Sequence, residues 1–249
     1  SDGARRRGLV VAIDPGHGGV DPGALHGDLR EKDVTLAMAQ ALAQALSDRG
    51  HQPALTREAD VFVSLAARRQ AARRAGADAL ISLHADPWRD ASASGASVYT
   101  LSDAASDALA ERLAARENDA DRAALAAYPG LSPDLSAALI DIARRGARGA
   151  SERLGAALIG ALRREGAADA GRPLRAAAFQ ILRAPDIPSA LVELGFLSNA
   201  DDRARLADPA WRAAAAEAMA EALDAWAAEG VGPGVLHPVA DPARVGSKD

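Results

Sequence analysis

Two histidines in this chain stand where an apolar run gives way to a turn. His17 follows the run Leu9–Ile13 and lies within Asp14-Pro15-Gly16-His17-Gly18-Gly19. Pro15 and the glycines cannot continue a central strand, so the imidazole is carried on a tight, backbone-rich turn at the carboxyl end of a buried strand. In open α/β sheets that is where ligands gather. His84 repeats the arrangement: it ends the run Ala79–Leu83 and precedes Ala85-Asp86-Pro87. Between them, Glu31 sits just ahead of a helical pattern. Two imidazoles and one carboxylate are a common ligand set for a catalytic zinc ion, whose fourth position stays open to water. Glu193 is the remaining chemical residue, an acid inside the apolar run Ala190–Leu194. Burial there is costly unless the group is paired, protonated or facing a polar cavity, and it raises the pKa toward the range of a general base.

Each residue also has an ordinary reading. His17 and His84 could be supporting or surface histidines, and Glu31 a helix-start acid stabilised by the macrodipole. Asp14 and Asp21 flank His17 and could orient it. His26, His51 and His237 fall in a loop, at a helix end and in the tail, and read as solvated. The glycines around His17 lack the spacing and the lysine of a phosphate-binding loop.

Strands and helices alternate around these residues, which predicts an α/β fold: one domain with a mostly parallel sheet between helices. The pattern places helices over Asp33–Arg49 and from Ser64 to about Ala75, each stopped by a glycine. Strands are expected at Pro53–Arg57, Ser97–Leu101 and Ala177–Leu182, with a turn at Gly171–Pro173. Asp208-Pro209 opens a last helix running to Glu229. A charged helical block over 104–146 has no strand partner and reads as an insertion, with helical runs at Ala104–Ala127 and Asp134–Arg145 ahead of a third at Ala150–Arg164. The expected domain is 8–229, with a loose tail over 230–249.

Composition excludes several classes. The 249 residues contain no cysteine, which rules out disulfides, thiolate metal sites and thiol nucleophiles. A net charge of −5 gives no reason to expect a nucleic-acid partner. No run of about 18 apolar residues is present, so no membrane span is expected. The amino-terminal residues lack the apolar core of a signal peptide and read as the start of a mature or trimmed chain, from which any export signal that existed has been removed. Aromatic residues are only 3% against 49% hydrophobic in all, so alanine-rich helices must pack closely through small side chains.

Four segments then match a known family in its order: Ile13–Ala24 (I-D-P-G-H-G-G-V-D-P-G-A), Arg30–Ala37 (R-E-K-D-V-T-L-A), Ser82–Asp86 (S-L-H-A-D) and Val192–Asn199 (V-E-L-G-F-L-S-N). On these motifs the chain resembles the zinc-dependent N-acetylmuramoyl-L-alanine amidases of the cell-separation type. The resemblance implies a twisted sheet of about six strands, zinc on His17, Glu31 and His84, and Glu193 as the catalytic carboxylate. It implies peptidoglycan as substrate, cut between N-acetylmuramic acid and L-alanine, and a periplasmic location. It further implies that the helical block covers the active site, with Glu111 or Glu117 in the open zinc position. A periplasmic activator of degenerate metallopeptidase type would release it, and the expected state is a monomer. Different-class alternatives are a catalytically silent peptidoglycan-binding module and a zinc amide hydrolase of a small acylated substrate.

Overall fold

The computed structural model describes residues 8–86, 94–127, 140–167 and 169–231. Its centre is a six-stranded sheet in the order β4-β1-β5-β8-β6-β7. The strands are β1 (Val10–Pro15), β4 (Gln52–Leu55), β5 (Ala79–His84), β6 (Ala96–Leu101), β7 (Asp169–Ala177) and β8 (Ser189–Glu193). Neighbours run parallel except β6 against β8. A two-stranded hairpin, β2 (Leu25–His26) with β3 (Leu29–Arg30), lies in the loop after β1.

The strands read as continuous apolar runs because both faces are covered. In β1, Val11 and Ile13 enter the main core with Met38, Leu42, Leu46, Leu158 and Trp226. Val10 and Ala12 pack on the other face with Leu80 and Ile187. The helices are α1 (Glu31–Asp48), α2 (Leu65–Arg74), α3 (Ala108–Ala127), α4 (Ile140–Arg164), α5 (Ala200–Ala207) and α6 (Pro209–Trp226). Small residues do bring helices together: Ala161, Ala218 and Ala222 form a cluster of their own where α4 meets α6. A Cβ on Gly155 would lie 2.9 Å from Leu174 Cδ1, so that glycine lets α4 lie close on the sheet.

Register is what builds the site. β1, β5 and β8 are adjacent and parallel, with Pro15 beside Leu83 and His84 beside Glu193. The turn carrying His17, the end of β5 and the end of β8 therefore finish at one level of one edge.

Several boundaries differ from expectation. Helix α1 starts at Glu31, so this residue is the first of the helix rather than ahead of it. Ser64 caps α2 as expected, accepting from the Ala67 amide at 3.3 Å. The strand expected at 177–182 is not there: β7 lies earlier, ends at Ala177 and includes Gly171–Pro173. Proline is tolerated there because β7 pairs only with β6 and is an edge, with a register shift opposite 96–98. The runs drawn at 134–145 and 150–164 are one helix from Ile140, Gly146 and Gly149 included, because packing on β6 and α6 overrides glycine's weak helix propensity. Residues 134–139 and the tail from 232 lie outside the described residues. Helix α5 was not legible; Asn199 caps it, accepting from the Asp201 and Asp202 amides at 3.0 and 3.1 Å.

Candidate metal centre

His17, Glu31, His84, Glu117 and Glu193 come from five elements and are all buried. His17 Nε2 and Glu31 Oε1 are 3.2 Å apart, as are His84 Nδ1 and Glu31 Oε1. The two imidazole rings meet edge to face, 5.0 Å apart at 79°. Glu117, on α3, brings Oε2 to 3.2 Å from His84 Nδ1 and 3.6 Å from His17 Nε2. Among the described residues His17, His84 and Glu117 form a group able to hold a metal ion, with donor atoms within 4.8 Å of one another.

His17, Glu31 and Glu193 are each fixed from behind. His17 Nδ1 pairs with Asp21 Oδ2 at 2.8 Å. With the proton on Nδ1, the lone pair of Nε2 faces the centre. Glu31 Oε2 accepts the Ala24 amide and Oε1 the Ala85 amide, both at 2.8 Å. Glu193 Oε2 accepts the Asp86 amide at 3.1 Å. At this centre four buried atoms have no hydrogen-bond partner among the described residues: His17 Nε2, His84 Nδ1, Glu117 Oε1 and Glu193 Oε1. Buried polar atoms are rarely left so. Two imidazole nitrogens facing carboxylates fit a divalent ion, and a zinc ion in particular by donor type.

The glycines allow this crowding. A Cβ on Gly16 would fall 2.5 Å from His84 Cε1. One on Gly23, where φ is +64°, would fall 2.6 Å from His17 Cδ2 and 2.7 Å from Glu31 Oε2.

The electrostatics follow from the pairing. Burial opposes charge on His17, but the Glu31 and Glu117 carboxylates outweigh it and hold the imidazolium well above its usual range. Burial likewise opposes charge on Glu31, yet His17 and His84 hold its carboxyl well below the ordinary value. Glu193 goes the other way. Burial pushes it up to about 8, with Glu31 and Glu117 adding to the rise and His84 opposing it.

The two acids considered on α3 separate. Six residues turn the helix by about 240°, so Glu111 stands exposed while Glu117 enters the centre. Asp14 does not orient His17 through its ring. It accepts from Ser82 Oγ and Thr56 Oγ1, both at 2.6 Å, and pairs with Arg68 Nη1 at 2.9 Å. His51 is not solvated as expected: Nδ1 accepts the Leu9 amide at 3.0 Å and Nε2 meets Asp224 Oδ1 at 2.8 Å, tying the start of β1 to α6. His26 is exposed, and His237 lies outside the described residues. Sequence reasoning assigned nothing to Arg57 and Arg68, which are buried beneath the His17 turn. Arginines on a loop and on a polar helix look solvated, and no periodicity marks them.

Residues 11–225 match the family described as N-acetylmuramoyl-L-alanine amidase. The chain is 36% identical over 216 residues to N-acetylmuramoyl-L-alanine amidase AmiA of Escherichia coli, covering 86% of this chain and 74% of that one. It is 35% identical to AmiC of Neisseria meningitidis, covering 89% of this chain and 53% of the relative, so it spans about half of that longer protein. In structure it is similar to the CwlD amidase of Clostridioides difficile, solved in complex with the GerS lipoprotein. The TM-score is 0.66 at 21% identity, covering 89% of this chain and 99% of that one, and this likeness speaks for the fold.

Proposed function

The chain belongs to the N-acetylmuramoyl-L-alanine amidase family, and from that premise we propose that it is a zinc-dependent peptidoglycan amidase of septal cell-wall splitting, held closed by α3. The observation that carries the reading is the convergence of His17 Nε2, His84 Nδ1 and Glu31 Oε1 beside a buried, protonatable Glu193. In this reading His17, Glu31 and His84 hold the ion and Glu193 is the catalytic carboxylate. A bound zinc ion supplies a Lewis acid that polarises the scissile carbonyl and acidifies water.

The rest is done by the chain. Glu193 Oε1 is free to take a proton from the attacking water, while Oε2 stays anchored on the Asp86 amide. The water oxygen bonds to the lactyl carbonyl carbon of N-acetylmuramic acid. The carbon–nitrogen bond breaks, and Glu193 returns the proton to the leaving nitrogen of L-alanine. The products are a glycan carboxyl and a free stem peptide. Burial raises the Glu193 carboxyl above the ordinary carboxylate range, and a divalent ion held beside it would favour the ionised form that takes the proton.

Closure is supported by the seating of α3. Glu117 faces both imidazoles, Arg116 pairs with Asp86, and Asn118 Nδ2 donates to the Ala178 carbonyl at 3.0 Å. Asp121 accepts the Leu65 amide at 2.8 Å. The cavity left beside His17, His84 and Glu117 is about 20 Å³, room for one water and not for a saccharide. Substrate entry therefore needs α3 to move, an order or position switch that a partner protein can drive. A periplasmic activator of degenerate metallopeptidase type is the proposed partner. The substrate lies outside the cytoplasmic membrane, so the proposed location is the periplasm, with the chain acting as a monomer. Among the described residues no helix is long and apolar enough to cross a membrane.

The test is release of material from labelled peptidoglycan by the zinc-loaded chain, with products read by mass spectrometry. The expected products are intact stem peptides with a new L-alanine amino terminus. Glu117→Ala is expected to raise the rate by roughly ten- to a hundredfold, the usual range for one coupled contact set. Cleavage within the peptide or the glycan would contradict the bond assignment. An unchanged rate in Glu117→Ala would contradict closure by this acid.

A further inference from the structure

His17 is the one non-glycine residue among the described residues with a left-handed backbone, at φ 60°. Sterics disfavour that conformation for an L residue, so the surroundings must enforce it. The turn also presents three successive carbonyls, those of Pro15, Gly16 and His17, each of which needs a donor.

Two buried guanidinium groups supply them. Arg68 donates through Nη1 to the Pro15 carbonyl and through Nη2 to the His17 carbonyl, both at 2.6 Å. Arg57 donates through Nε to the Pro15 carbonyl at 3.0 Å and through Nη2 to the Gly16 carbonyl at 2.9 Å. Arg57 Nη2 also reaches the Lys32 carbonyl at 2.8 Å. Thr35 Oγ1, one turn along α1 from Glu31, donates to the Gly16 carbonyl at 2.9 Å. Arg57 and Thr35 thus join the turn bearing His17 to the helical turn bearing Glu31.

Placing two cations beneath a centre that accepts a third is electrostatically adverse, and Asp14 offsets it through Arg68. Neutral donors would satisfy the carbonyls without that repulsion. What guanidinium adds is a rigid planar fork that fixes several acceptors at once, which the point charge of a lysine cannot do. The fork geometry thus joins acceptors that a single neutral donor would not reach together.

We propose that Arg57 and Arg68 are positioning residues for the metal centre: they clamp the carbonyls of residues 15–17, hold His17 in its left-handed conformation and, with Thr35, set its placement against Glu31. The proposal rests on the reading of His17, Glu31 and His84 as metal ligands.

The experiment uses Co2+ as the probe on the full chain. Wild type, Arg57→Lys, Arg68→Lys and Thr35→Val are compared for Co2+ affinity by chelator competition, for the visible ligand-field spectrum and for fold by circular dichroism. Wild type is expected to bind one ion. Each lysine variant is expected to bind about 10- to 100-fold more weakly, the range for groups that orient ligands, with a changed ligand-field spectrum. Thr35→Val is expected to lose roughly severalfold with a smaller spectral change, its metal-free fold intact. A purely structural role would lower thermal stability and leave the spectrum of the bound ion unmoved. Wild-type affinity and spectrum in Thr35→Val and in every lysine variant that folds would overturn the proposal. If neither lysine variant folds, Thr35→Val decides alone. A wild-type chain that binds no Co2+ overturns the metal reading and this proposal together.

Discussion

Glu193→Gln is expected to abolish release of stem peptide while the divalent ion stays bound. A positioned general base contributes on the order of 10²- to 10⁴-fold. Glu193 is fully buried, with one oxygen on the Asp86 amide and the other without a partner. Glutamine keeps the shape and can still accept from Asp86, but it cannot take a proton. The same substitution carries a stability signature in the metal-free protein. The folded carboxyl, pushed by burial from 4.5 to about 8, retains a proton that the unfolded chain releases. Its stabilising contribution is complete below the lower of those values. It is lost as pH rises toward the higher one and then stays level. Chemical unfolding of wild type and Glu193→Gln, measured from about pH 5 to pH 9, should show wild type losing stability relative to the variant as pH rises. His17 and Glu31 titrate in both proteins, so the difference reports Glu193 together with its coupling to His84, Glu31 and Glu117. Wild-type turnover in the variant, or a stability difference independent of pH, would contradict the role given to this residue.

The second large effect is expected from Gly16→Ala. Gly16 is outside the left-handed region, so alanine meets no backbone objection there. Its Cβ would instead lie 2.5, 2.7 and 2.8 Å from Cε1, Nε2 and Nδ1 of the His84 ring. That ring has no slack: His17 packs edge-on against it and Glu31 and Glu117 face its Nδ1. Either the ring leaves its position or the His17 turn does. Overpacking of this kind costs about 1–3 kcal/mol, and displacement of one imidazole should weaken metal binding by roughly 10- to 100-fold. Zinc affinity by chelator competition and peptide release should fall together. A Gly16→Ala chain with wild-type affinity for zinc would show that His84 is not held where the ion binds.

How much of this was legible in the sequence depended on the kind of signal. Leu9–Ile13, Ala79–Leu83 and Ala190–Leu194 stood out as strands because both faces of each are buried; His17 and His84 stood out because they follow such runs, and Glu193 because it interrupts one. Pairing was not legible. Nothing local says that β8 lies beside β5, so that Glu193 falls at the level of His84. Where tertiary packing overrode local preference the reading failed: Gly146 and Gly149 did not break α4, and Pro173 entered β7 because that strand is an edge. The choice between Glu111 and Glu117 needed the face on which α3 docks, set by Ala110, Leu113 and Ala114 against Tyr99 and Phe179. Arg57 and Arg68 were invisible because most of their partners are backbone carbonyls, which carry no sequence signal.

Zinc absorption-edge spectroscopy on the purified chain, with a metal count, tests the centre most directly. The expected result is one zinc per chain, bound by nitrogen and oxygen with the scattering of two imidazoles, and lost in His17→Ala and in His84→Ala. A chain that takes up no zinc, or a zinc signal that survives removal of either histidine, would contradict a single ion shared by His17, Glu31 and His84.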